Sequence, residues 1–187
     1  MQNAELKTIN DAIYLRGLFI QRYSGVEFAL TELIMRARQH DAYQHLGDLP
    51  WRFAGKLQRM RDLTDAEGPI AAYTDELRTT FGDFDDFAER RNFLVHGIMN
   101  VPRDATDRTV LGFRMYDHKR VTGEDGSKAN VVHIGRMDAT LEELERLAEA
   151  LQPMSTGFTA LVARICRKVP LPPLYEYTES YKANAYR

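Results

Sequence analysis

Across residues 4–39 apolar side chains return every three or four positions, at Ile9, Ile13, Tyr23, Val26, Leu30, Leu33, Ile34 and Ala37. That is the period of a long amphipathic helix, whose stripe must be buried against other elements. Gly17 and Gly25 weaken this helix slightly but admit close approach of a neighbour. Beyond a loop punctuated by Gly47 and Pro50, a second helix is predicted over 51–66, with Trp51, Ala54, Leu57 and Leu63 as its apolar positions. A third is predicted over 70–96, with a break near Gly82 and with Gly97 ending it in the left-handed conformation. Residues 109–117 and 131–136 read as strands flanking the turn formers of 122–127, a β-hairpin with a long loop. Asp138 is predicted to cap a last helix over 138–168, which Pro153 should kink or break. The predicted fold is all-α, a bundle of four to five helices with a β-hairpin inserted before the last helix. Residues 1–170 form its domain and 171–187 a tail rich in Pro and Tyr.

A chain of 187 residues is long enough to bury roughly 70% of its unfolded surface without disulfides or metals. Its net charge of −2 excludes a general polyanion binder, so any nucleic-acid contact must come from a local basic patch. The single cysteine, Cys166, excludes an internal disulfide framework, suits a reducing cytoplasm and reads as a packing residue. The first residues lack the basic and apolar regions of a signal peptide, and no apolar run approaches membrane-spanning length, so no membrane association is expected.

The end of the third predicted helix carries the chemistry. On a helical wheel Leu77, Phe81, Phe84, Ala88 and Val95 share one packing face, and Arg91, Asn92 and His96 flank it. Phe93 and Leu94 make the opposite face apolar as well, which implies burial on several sides and a symmetric homodimer with the motif helices near its axis. An arginine in such surroundings needs a partner. One reading is structural: Arg91 pairs with Glu27 or Glu32, and His96 bonds a backbone carbonyl. The other is chemical. Asn92, four residues before His96, fixes the imidazole's tautomer, and the end of the helix dipole favours its protonated form. Arg91 then binds the oxygens of a phosphodiester while His96 moves a proton. Arg52, Lys56 and Arg59 share a face of the second helix, read either as solvated surface or, with Arg90, as an RNA-contacting stripe. The five histidines form no metal-ligand spacing, and Asp83, Asp85 and Asp86 read as a solvated surface, so neither metal nor cofactor is expected.

The run Arg91-Asn92-Phe93-Leu94-Val95-His96-Gly97 resembles the HEPN family, whose signature is Arg, four to six residues, then His, often with Asn after the Arg. The match is specific over residues 89–98 and architectural elsewhere. The resemblance implies a helical bundle that dimerises to face two motifs into one cleft. It also implies metal-independent cleavage of single-stranded RNA, in a toxin or phage-defence context with an antitoxin partner. In one subgroup a modified Tyr stands two residues after the His. Ile98 stands there in this chain, which sets that mode of control aside. The alternative function is a non-catalytic HEPN-like dimer that binds RNA, a nucleotide or a protein partner. A third reading is a purely structural helical dimer with Arg91 and His96 at its interface.

Overall fold

The computed structural model describes residues 2–82, 84–101, 110–122 and 126–174. The protein is mainly helical with a β-hairpin insertion. Helix α1 (Gln2–Arg38) is followed by a 3-10 turn (Asp41–Leu46), then α2 (Phe53–Asp65), a second 3-10 turn (Ala71–Tyr73), α3 (Thr74–Phe81) and α4 (Asp85–His96). Strands β1 (Ile98–Asn100), β2 (Leu111–Thr122) and β3 (Lys128–Ala139) precede the last helix, α5 (Leu141–Lys168).

Helix α1 is the spine. Tyr23, Val26, Leu30, Leu33, Ile34 and Ala37 are buried as its periodicity requires, while Ile13 is exposed and Ala12 and Phe19 take the core positions of the first half. Helix α5 lies alongside α1 in the same direction: the Ser155 hydroxyl donates to the Arg22 carbonyl, and further along Arg36 stands beside Cys166. Gly25 makes room for the Ser155 side chain, since a side chain there would start 3.3 Å from Ser155 Oγ; Gly17 meets nothing within 4 Å. Burial pushes the Cys166 thiol up, as suits a packing residue.

Helix α5 differs from expectation at two points. Its N-cap is Thr140, whose hydroxyl accepts from the Glu143 N–H while the Glu143 carboxylate accepts from the Thr140 N–H; Asp138 is instead the end of β3 and bonds Arg136. This reciprocal pair satisfies two donors at once, which a lone Asp cannot do. Pro153 leaves the helix continuous. Arg22 of α1 donates to the Ala148 carbonyl in the turn before it, one residue ahead of the Glu149 carbonyl that the proline leaves without an intrahelical donor.

The hairpin is longer than predicted, pairing from Leu111↔Ala139 to Thr122↔Lys128. The residues directly after Gly97 form a third strand that was not predicted: β1 pairs antiparallel with β2 through Met99↔Phe113. The described sheet therefore has the order β1-β2-β3. Leu111, Phe113 and Ala139 bury its base, and Tyr116, Val132 and Ile134 are exposed further out. Phe93 of α4 lays its ring over Gly135 of β3, and Leu94 is fully buried. On the second apolar face of α4, Phe93 is thus covered by the chain's own sheet and Leu94 is buried within the chain, so the expected reason for a dimer there does not hold. Val169 and Leu171 are buried where the chain leaves α5. The tail beyond residue 174, with its tyrosines, lies outside the described residues, as do Asp83 and the side chain of Asp85. No helix among the described residues is long and apolar enough to cross a membrane.

Candidate functional site

The motif helix is fixed at both ends by residues distant in sequence. At its start Phe84 is fully buried, with its ring 4.8 Å from Tyr23, 5.4 Å from Phe53 and 5.1 Å from Phe81. This wedge separates α3 from α4 near Gly82, as predicted. Beyond it the predicted stripe is only partly kept. Leu94 is buried, Val95 is half-buried, and Ala88 lines a cleft.

At the other end Arg16 of α1 donates through Nε to the Leu94 carbonyl and through Nη2 to those of Val95 (3.3 Å) and Gly97 (3.2 Å). The last carbonyls of a helix lack intrahelical donors, and a guanidinium there both bonds them and meets the negative end of the dipole. Gly97 ends the helix differently from the expectation. Its φ of −74° and ψ of 141° are extended, not left-handed. Glycine is required by proximity: a side chain at 97 would collide with the Phe93 carbonyl and start 3.4 Å from Phe113 Cβ. The chain passes straight into β1 through that narrow gap.

Between these anchors Arg91, Asn92 and His96 face a cleft of about 850 Å³. Its other walls are Tyr23 and Glu27 of α1, the turn Leu49-Pro50-Trp51-Arg52, and the first turns of α2 as far as Leu57. Arg91 Nη1 lies 3.4 Å from His96 Nε2 and donates to Asn92 Oδ1 at 3.3 Å. Its guanidinium also sits over the Tyr23 ring, 5.7 Å from the centroid, a cation–π contact that orients it from below. Because Arg only donates, the contact to His96 is a hydrogen bond when Nε2 is the unprotonated ring nitrogen. Asn92 therefore steadies the arginine rather than the imidazole.

The expected salt bridges of Arg91 are absent among the described residues. Glu27 is held by Lys56 at 2.9 Å and Glu32 by Arg36 at 2.9 Å. His96 is exposed to the cleft, and its described contact is with Arg91, not with a carbonyl. Of the predicted basic stripe, Arg52 and Lys56 reach the cleft, Lys56 with its charge engaged by Glu27. Arg59 turns away to the Asp48 carbonyl (3.5 Å) and the Asp62 carboxylate (3.7 Å), and Arg90 is exposed outside the cleft wall. Helix α2 begins at Phe53 with Arg52 as an N-cap that makes no side-chain bond and with no acid in its first turn, so its positive end opens on the cleft. Among the described residues no group of three His, Cys, Asp or Glu side chains is placed to hold a metal ion.

The sequence reading missed Tyr23, Arg16 and Trp51 as site residues. Tyr23 and Trp51 were counted as apolar positions, yet Tyr23 supports Arg91, and Trp51 lies outside α2 and 96% exposed. Arg16 carries no local pattern, because its partners are about 80 residues away.

The chain matches no protein-family model, no curated protein and no solved structure. A guanidinium and an imidazole in mutual contact, open to solvent beside an uncapped helix start, can bind an anionic oxygen and move a proton next to it.

Proposed function

We propose that this protein is a metal-independent endoribonuclease of HEPN type acting on single-stranded RNA. The observation that carries the reading is the Arg91–His96 contact of 3.4 Å on the wall of an open cleft, with no carboxylate on Arg91 among the described residues. An arginine free of internal ion pairs is available to a phosphodiester, and a histidine beside it reaches the same group. The 2′-hydroxyl of the substrate attacks the adjacent phosphorus and loses its proton. The bond from phosphorus to the 5′-oxygen breaks, and that oxygen gains a proton. The products are a 2′,3′-cyclic phosphate and a 5′-hydroxyl. Only RNA carries this internal nucleophile. Arg91 holds the non-bridging oxygens, whose charge grows in the transition state.

Two protons move, and His96 is the one imidazole on the described cleft wall. The reading therefore includes a homodimer in which the second copy contributes its own His96. In a toxin or phage-defence setting in the cytoplasm, the resemblance adds an antitoxin partner. The test is incubation of single-stranded RNA with wild type and His96→Ala in EDTA, with end-group analysis. Wild-type cleavage to cyclic phosphate ends, lost in the variant, supports the reading; 3′-hydroxyl ends or an unaffected variant refute it.

The second reading, a non-catalytic dimer binding RNA, a nucleotide or a protein, is favoured by one observation. Lys56 is neutralised by Glu27, so Arg52 and Arg91 are the cleft's cationic groups without a carboxylate partner among the described residues. RNA binding without cleavage in the same assay would select it.

A further inference from the structure

We propose that Trp51 is the platform on which the cleft receives a nucleobase, so that the ligand is a base-bearing single strand and not a phosphate group alone. This rests on the RNA reading of the Arg91–His96 site and deepens it. Tryptophan is highly buried on average in folded proteins, yet Trp51 is 96% exposed. Its surroundings show that this is not slack chain. A side chain at Gly55 would start 2.6 Å from Pro50 Cβ, so the turn before Trp51 is pressed directly onto the first turn of α2. On either side Leu49 and Phe53 pack against the core. With its neighbours anchored inward, Trp51 is left on the outside of the turn, among the residues that line the cleft.

The cleft is two-sided in its chemistry. The turn before α2 offers Trp51 with Arg52 next to it, and α4 offers Arg91 and His96. A nucleotide has the complementary division, a flat π-surface and an anionic phosphate. Aromatic stacking beside cationic backbone contacts is how single strands are held without sequence readout. An anion alone would leave the indole without a role, and an apolar peptide would leave Arg52 and Arg91 unpaired as they were desolvated. The nucleic acid is therefore the occupant that satisfies both sides.

Trp51 is the chain's single tryptophan, so its emission reports this position alone. The full-length protein is titrated with a labelled single-stranded 2′-O-methyl oligoribonucleotide, whose blocked 2′-oxygen prevents attack, and with an abasic oligomer of the same length. Emission and label anisotropy are read together. The base-bearing strand is expected to quench Trp51 and the abasic one to leave it unchanged. Trp51→Ala should weaken the base-bearing complex by roughly 10-fold or more and leave the abasic one as it was, with Trp51→Phe restoring most of the loss. If the oligonucleotide binds by anisotropy with emission unchanged and Trp51→Ala without effect, the proposal falls and the RNA reading stands. If neither binding nor cleavage of RNA occurs, both fall. Emission that varies with protein concentration before any oligomer is added, together with dissociation of a dimer by Trp51→Ala, would show that a second copy covers Trp51 and would overturn the proposal.

Discussion

Arg91 is held by three groups of different kind: the Asn92 amide, the His96 ring and the Tyr23 face. A lysine keeps the charge but not the planar fork that meets several partners together. Arg91→Lys is therefore expected to lower RNA cleavage by about 100-fold, with thermal stability close to wild type. His96→Ala is expected to remove cleavage altogether, general acid–base catalysis being worth roughly 10²–10⁴-fold. Asn92→Ala should be milder and should raise KM more than it lowers kcat, because Asn92 reaches the arginine and not the imidazole. EDTA is expected to leave all these activities unchanged. Cleavage rates and melting temperatures on the same variants separate this from a structural role, for which stability would fall and wild type would not cut RNA.

Helix α4 owes its placement to other elements more than to its own composition. Arg16→Met removes the donors from the carbonyls of Leu94, Val95 and Gly97. Charge-assisted bonds contribute about 1.5–3 kcal/mol each at most, so denaturant unfolding is expected to show a loss of about 2–3 kcal/mol. Cleavage should fall with it, measured where both proteins are fully folded, because His96 lies between the clamped carbonyls. An unchanged rate there would mean the clamp serves stability alone. The Thr140 capping box is a purely structural counterpart: Thr140→Ala should cost about 1 kcal/mol and leave cleavage untouched. A third anchor is Tyr43, fully buried in the first 3-10 turn, whose hydroxyl accepts the Ile70 N–H at 2.8 Å. Burial pushes its phenol up, with the Ile70 bond acting in the opposite sense. The folded state therefore holds this proton more tightly than the unfolded chain, and the associated stability is present below pH ~10 and lost as pH rises beyond it. Tyr43→Phe should flatten that alkaline limb in urea midpoints. It should also cost about 1–3 kcal/mol at neutral pH, because the Ile70 N–H loses its acceptor.

At the scale of the molecule, dimerisation is a requirement of the proposed chemistry and not of the apolar face of α4, where Leu94 is buried and the sheet covers Phe93. Light scattering is expected to show a dimer, and cleavage per protein molecule should fall on dilution below its dissociation constant. A monomer that cuts RNA with undiminished specific activity would require a second proton-moving group within one chain.

The residues themselves determined much of this protein. The three-and-four spacing of α1, the glycine break near residue 82, the β-branched runs of the hairpin and the Arg91-Asn92-His96 cluster are local patterns, and local patterns are set by backbone and side-chain geometry within a few residues. Tertiary structure decided what depends on distant partners. Phe84 is wedged among Tyr23, Phe53 and Phe81 at the start of α4, and on that helix Leu94 and not Val95 entered the core. Gly97 proved necessary for the close passage beside Phe93 and Phe113, with no positive φ. Lys56 claimed the carboxylate of Glu27, which left Arg91 to His96. Trp51, apolar by type, was turned outward because Leu49 and Phe53 on either side of it went in. Each outcome was a competition for space or charge among groups far apart in the chain, which spacing along a sequence does not encode.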